Sequence, residues 1–453
     1  MNNLIDIPFI LTPRTKPLRW IYNYSDSYLE EKYSYEKHFS GLDVYVFPKK
    51  TNSTMAILGT RFGSVDNTFK TQKNGEFVTV PDGVAHFLEH KLFENEDGSD
   101  SFDRFSQLGA DANAYTSANR TAYYFESTKN FSKNLEELIR FVFAPHFTEK
   151  GIKKEIGIIA EEIKMYDDNP YDRCYYGMLD GLYEKHSVKR NICGSEESIN
   201  KITPEILNEC HKVFYSPSNM VLAVCGNTTL DDVINIVDKI LPEKKRNKKI
   251  IRSNENLSEP REVHKKLVTD KMNVSKPIFS IGIKDTDIPH SKVSALKKDI
   301  MMALLGNILF SRSSVFDNKL IEKGLIEPDL RFEYSLCETF AFSAISGKSD
   351  CPEKVFENIL DYIKEVKASG ISREDFLREK KVMLTEHIGT FDSTARIANS
   401  LFSHGCAKTD VFHTHRLIKS IKQSELEELL EKAFCEDYFT LSVIYPLCGE
   451  EEK

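Results

Sequence analysis

The chain has 453 residues, 40% of them hydrophobic and 29% charged, with a formal net charge of −8. That length accommodates two or more domains and a large core, and the composition is that of a soluble globular protein. The acidic balance argues against nucleic-acid binding and is compatible with a cleft that attracts basic peptides. No apolar run approaches transmembrane length, so membrane insertion is not expected.

The first twenty residues, MNNLIDIPFILTPRTKPLRW, show neither the basic start and apolar run of a secretory signal nor the pattern of a mitochondrial transit peptide. Nine cysteines with no C-x-x-C pair read as free thiols in a reducing compartment, and a cytoplasmic location is expected. Cys225 and Cys337 fall in strand-like runs and read as small buried apolar residues.

Strand-like runs at 42–47 (LDVYVF) and 54–62 (TMAILGTRF) precede a helical segment over 82–94 that holds His86-Phe87-Leu88-Glu89-His90. Two imidazoles at i,i+4 can bind one metal ion, and the carboxylate between them can act on a metal-bound water. Twelve His and, at most, all 69 acidic residues give at most about 0.05 such motifs by chance in a chain of this composition. Wound at about 100° per residue, Val84, Phe87, Leu88, Lys91 and Leu92 form one stripe, while His86, Glu89 and His90 share the opposite face. A lone histidine is usually a satisfied core residue; three polar groups on the non-core face fit a cleft better.

A hairpin is predicted at 111–128, followed by a helix over 148–168. On that helix Ile152, Ile156, Ile159, Ile163 and Tyr166 make a stripe about 80° wide. Glu155 and Glu162 lie together at its edge, and Glu161 projects to solvent. Further helices run to about 214, and the strand Met220–Gly226 follows. Glu243–Lys266, rich in Lys, Arg, Asn and Glu, reads as a solvated linker. The second half repeats the grammar: strand-like runs at 276–285, 330–336, 338–347 and 439–446 alternate with helical segments. His404, His413 and His415 lack a matching carboxylate pattern, Ser311–Ser314 reads as structural, and no P-loop or G-x-G-x-x-G is present.

His86-x-x-Glu89-His90 with Glu155-(x6)-Glu162 resembles the pitrilysin (insulinase-like) zinc metallopeptidases, the inverzincins, in particular the bacterial processing-peptidase-like members of half length. Asn113–Ser117 with Thr121–Phe125, and Ser216–Leu222 with Gly226-Asn227, also match. The resemblance implies that His86, His90 and Glu162 bind Zn2+. It implies that Glu89 is the general base on the zinc-bound water, and that Glu155 steadies the ligands and assists catalysis. It further implies that Asn113, Ala114, Tyr115 and Thr116 hold the substrate as an added strand. The family's C-terminal Arg and Tyr, seven residues apart, are matched here by Ile321 and Glu327, with Arg331 and Tyr334 at the wrong spacing.

The expected fold is α+β: two homologous domains, each a mostly antiparallel sheet covered by helices, forming half of a clam-shell chamber. The expected boundaries are 1–245 for the catalytic domain, 246–262 for the linker and 263–453 for the second domain. The expected function is a zinc endopeptidase cleaving peptides or short unfolded polypeptides. The alternative is a catalytically weak, structural or peptide-binding subunit. The expected partner is a similar-sized homologue that lacks H-x-x-E-H, with a homodimer as the alternative.

Overall fold

The computed structural model describes residues 19–70, 75–241, 250–253, 258–328 and 330–447. The expectation about a leader and part of the expected linker fall on residues outside these ranges.

Two sheets carry the fold. The first contains β1 (Ile21–Asp26), β2 (Glu31–Lys37), β3 (Asp43–Pro48), β4 (Thr54–Thr60), β7 (Ala110–Thr116), β8 (Thr121–Ser127) and β9 (Met220–Gly226), in the order β1-β2-β3-β9-β4-β8-β7. A small separate ribbon pairs β5 (Thr68–Lys70) with β6 (Phe77–Thr79). The second sheet contains β10 (Leu267–Met272), β11 (Ile278–Asp285), β12 (Arg331–Leu336), β13 (Ala341–Lys348) and β14 (Phe439–Pro446), in the order β10-β14-β11-β13-β12.

The five strands of the second sheet match β3-β9-β4-β8-β7 of the first in chain order and spatial order. In each sheet one pair is parallel, β3 with β9 and β10 with β14, and the remaining pairs are antiparallel. The architecture is therefore α+β with two similar, mostly antiparallel sheets. Central strands are buried throughout: every residue of β4, β9 and β11 is buried, the polar Thr54, Thr60, Ser280, Lys284 and Asp285 included. Such runs need cover on both faces, which helices supply. The edge strand β10 instead alternates between exposed and half-buried residues.

Contacts divide the chain into two compact units. One comprises Met1–Ile156, Ser198–Ile251 and Ile388–His413; the other comprises Gly157–Glu197, Arg252–His387 and Thr414–Lys453. The sheets respect the expected halves 1–245 and 263–453, but the helices covering them do not. In the first unit the helix Thr394–Ala407 packs on β3, β4 and β9; in the second, the helix Pro170–Leu182 packs on β10, β11 and β14. Each sheet thus takes one covering helix from the other half of the sequence. Small residues permit the close approach. A Cβ on Gly59 of β4 would stand 2.4 Å from Phe402 Cζ, and one on Gly181 would stand 2.3 Å from Thr440 Oγ1. Contiguous amphipathic segments carry no label for the sheet they cover, so sequence order suggested contiguous domains.

The linker reading also needs correction at Glu259. Its carboxylate accepts the backbone N–H groups of Glu184 (2.7 Å), Lys185 (2.9 Å) and His186 (2.9 Å), just beyond the helix Pro170–Leu182. It also pairs with Lys284 Nζ at 3.0 Å, and the Lys284 side chain is only 1% exposed. Burial raises the Glu259 pKa, but these N–H donors and the lysine outweigh it and hold the pKa below the usual carboxylate value. Glu259→Ala strands a buried ammonium, so it is expected to destabilise the fold by about 3–5 kcal/mol. A thermal or denaturant transition unmoved by this change would show that the segment is not anchored there.

The structure places Cys225 inside β9, fully buried, and Cys337 just past β12 and partly exposed. All described cysteines are free thiols. Ser314 caps the helix Val315–Glu322 by accepting the Asp317 N–H, in keeping with a structural role.

Candidate metal centre

The motif lies on the helix Val84–Leu92, which Gly83 opens with φ of 87°, a left-handed conformation that glycine adopts at little cost. Val84, Phe87, Leu88, Lys91 and Leu92 are buried, whereas Glu89 and His90 are half-buried. His86 is 7% exposed. The predicted division into two faces holds for Glu89 and His90, whereas His86, expected on the same polar face, is buried like the apolar stripe.

The second helix runs Glu149–Asp167, and Thr148 Oγ1 accepts the Gly151 N–H at its start. Ile152, Ile159 and Ile163 are buried. Glu161 points outward, 75% exposed, and pairs with Lys164. Glu162 is half-buried and receives a hydrogen bond from the Tyr166 phenol one turn on. Burial, with Cys193 and Glu162 nearby, raises the Tyr166 pKa to about 12, so the phenol stays a donor.

His86, His90 and Glu162 each offer one ligand atom, and these atoms lie within 4.8 Å of one another. They are the one group of His, Cys, Asp or Glu side chains so placed among the described residues; His404, His413 and His415 are not part of it. Burial first, and then His90, lower the His86 pKa to about 3, so the ring is a neutral lone-pair donor. Two imidazoles and one carboxylate leave a fourth position open, and this donor set fits zinc.

Glu155 does not join the group. Its Oε1 lies 3.0 Å from His90 Nδ1, and its Oε2 lies 3.9 Å from Lys91 Nζ. A carboxylate on Nδ1 fixes the imidazole with Nε2 free to bind a metal. Lys91 is 1% exposed and also pairs with Glu94, so the helix buries a cation beneath the histidines that holds Glu155 in place. Sequence reasoning left Lys91 on the apolar stripe without a partner; a lysine on a buried face is itself the signal that a carboxylate faces it.

Glu89 is turned toward the sheet. Thr116 Oγ1 donates to Glu89 Oε2 at 2.6 Å. Behind it, the hydroxyls of Tyr123 and Tyr215 hydrogen-bond at 2.9 Å in the core, and burial first, then this pairing and the Glu89 charge, raise the Tyr123 pKa. These tyrosines escaped sequence reasoning, which read Tyr123 only as a hairpin residue.

Asn113, Ala114, Tyr115 and Thr116 all lie on β7, the edge of the first sheet. Asn113 Oδ1 accepts the Ala114 N–H at 2.8 Å, occupying a donor that an added strand would take. Ile321 packs against the core of the second unit, and Glu327 pairs with Lys276 at 3.2 Å. Arg331 is exposed on β12, and Tyr334 donates its hydroxyl to Asp285 at 2.8 Å. Within the second unit neither expected position offers an Arg or a Tyr.

No helix among the described residues is long and apolar enough to cross a membrane. Residues 79–196 match the sequence model of the insulinase (peptidase M16) family, and residues 201–383 match that of the peptidase M16 inactive domain. The uncharacterised zinc protease YmfH of Bacillus subtilis (strain 168) is 38% identical over 92% of this chain and 97% of its own length. The uncharacterised zinc protease YmxG of the same organism is 26% identical over 80% of this chain and 88% of its own length. The crystal structure of an M16-like peptidase from Alicyclobacillus acidocaldarius covers 96% of this chain and all of that one, with a TM-score of 0.86 and 28% identity. A protease from Helicobacter pylori shares the fold at a TM-score of 0.80 and 18% identity, over 92% of this chain and 100% of that one. Motifs, paired sheets and relatives converge: the chain belongs to the insulinase (M16) family of peptidases.

Proposed function

We propose that this chain is a zinc-dependent endopeptidase of the inverzincin type that cleaves peptides or short unfolded polypeptides inside a closed chamber. One observation carries the reading: His86, His90 and Glu162 converge within 4.8 Å of one another, while Glu89, on the same helix, stands outside that group and accepts the Thr116 hydroxyl. Zinc held there supplies Lewis acidity toward the scissile carbonyl and lowers the pKa of its water. Glu89 takes a proton from the attacking water and returns it to the leaving amine. Glu155 holds the His90 ring, and Lys91 holds Glu155. The substrate chain adds to β7 as a further strand, displacing the Asn113 side chain from the Ala114 N–H. Backbone pairing of this kind binds extended peptides with little demand on sequence.

The chain acts with a partner of similar size that lacks H-x-x-E-H and supplies the Arg and Tyr. Ile321 and Glu327 at the expected positions, with Tyr334 engaged by Asp285, support this assignment. The same observation favours the second reading, a catalytically weak or peptide-binding subunit, if no partner completes the site. Free thiols and the absence of a long apolar helix among the described residues fit a cytoplasmic setting.

The test is to purify the chain, measure zinc and assay an unstructured peptide with and without a similar-sized homologue that lacks H-x-x-E-H. Zinc binding with weak cleavage alone, and strong cleavage in a complex of twice the mass, is expected. An obligate pair should bury well over the ~1,600 Å² of a standard interface. Full activity of the isolated chain, as monomer or homodimer, would count against the partner.

A further inference from the structure

Glu89 lies between two metal-binding histidines on one helix face, three residues after His86 and one before His90. From there a carboxylate has two destinations, the metal or the neighbouring strand. In the structure it takes the strand. The Thr116 Oγ1 to Glu89 Oε2 distance of 2.6 Å falls in the range of about 2.5–2.7 Å typical of hydroxyls donating to carboxylates.

The hydroxyl is itself held in place. Thr116 is the last residue of β7 and pairs across the ladder with Thr121, which is fully buried. The Thr121 hydroxyl donates to the Phe62 carbonyl at 2.9 Å, and its oxygen lies 3.4 Å from Thr116 Oγ1. With its proton committed to Phe62, Thr121 leaves the Thr116 proton for Glu89.

We propose that Thr116 is a positioning residue that holds the Glu89 carboxylate away from the metal. The fourth position then stays open, and Glu89 stays available as a base. The inference rests on the peptidase reading above. It also places substrate docking and base alignment on one strand, because Thr116 ends the edge to which a peptide would add.

The test compares Thr116→Val, which keeps the shape and removes the hydroxyl, with Thr116→Ser, which keeps the hydroxyl. The double variant Thr116→Val with Glu89→Gln is the control. Zinc affinity is read by competition with a chromogenic chelator, and kcat and KM are read on an unstructured peptide with the partner present. In Thr116→Val the released carboxylate joins the ligands, so zinc should bind more tightly than in the wild type while kcat falls about 10–100-fold at similar KM. Thr116→Ser should restore both. In the double variant the gain in affinity should vanish, because an amide is a poor ligand. Wild-type zinc affinity in Thr116→Val, or a gain that persists in the double variant, overturns the proposal. The chelator readout decides it even where the chain alone is inactive. A wild-type chain that binds no zinc would overturn the peptidase reading itself, and this inference with it.

Discussion

Glu89→Gln is expected to keep full zinc occupancy and to lose peptide hydrolysis by about 10²–10⁴-fold, the contribution of a positioned general base. The two halves of that expectation have separate causes. Zinc is retained because the converging ligand atoms belong to His86, His90 and Glu162, not to Glu89. Hydrolysis falls because the amide has the shape of the carboxylate and can still meet the Thr116 hydroxyl, but it cannot accept a proton at neutral pH. Elemental analysis and kcat on the same preparation separate these effects. Near-normal turnover by the zinc-loaded variant would remove Glu89 from the mechanism.

His86→Ala and Glu162→Ala are each expected to abolish zinc binding at micromolar metal. Three protein ligands with one open position is the minimum for a catalytic zinc site, and each substitution leaves two. The loss should exceed the effect of Glu155→Gln, which removes only the partner of His90 Nδ1 and should weaken zinc binding by about 10–100-fold. Glu161→Gln is the internal control. It lies beside Glu162 in sequence but points outward to Lys164, so zinc and activity should be unchanged. Full zinc occupancy in both alanine variants would refute the ligand assignment, and zinc loss in Glu161→Gln would show that the helix faces have been misread.

These two experiments bear on features that local pattern already carried. The helical period put His86, Glu89 and His90 on one face and Phe87, Leu88 and Leu92 on the other. It also separated Glu162 from Glu161, because adjacent residues on a helix point about 100° apart. The sequence placed a hairpin at 111–128, the family resemblance put Asn113–Thr116 on its edge strand, and the second half repeated the grammar of the first, as the matching strand orders now show. Such signals span a few residues and survive wherever the element packs.

What the chain by itself determined, then, is the type of each element and the face on which its chemistry lies. Tertiary structure decided the partners. Glu89 meets a hydroxyl 27 residues away, and His90 meets a carboxylate 65 residues away. Lys91 lay on the apolar stripe, and only the fold brings Glu94 and Glu155 to it. Glu259, read as solvated linker, anchors backbone 73 to 75 residues distant. The helices Pro170–Leu182 and Thr394–Ala407 cover the sheets opposite to those that sequence order suggests. No periodicity records such pairings, because they depend on which buried charge finds a counter-charge and which glycine lets a helix approach a strand. Both are properties of the packed chain rather than of any segment within it.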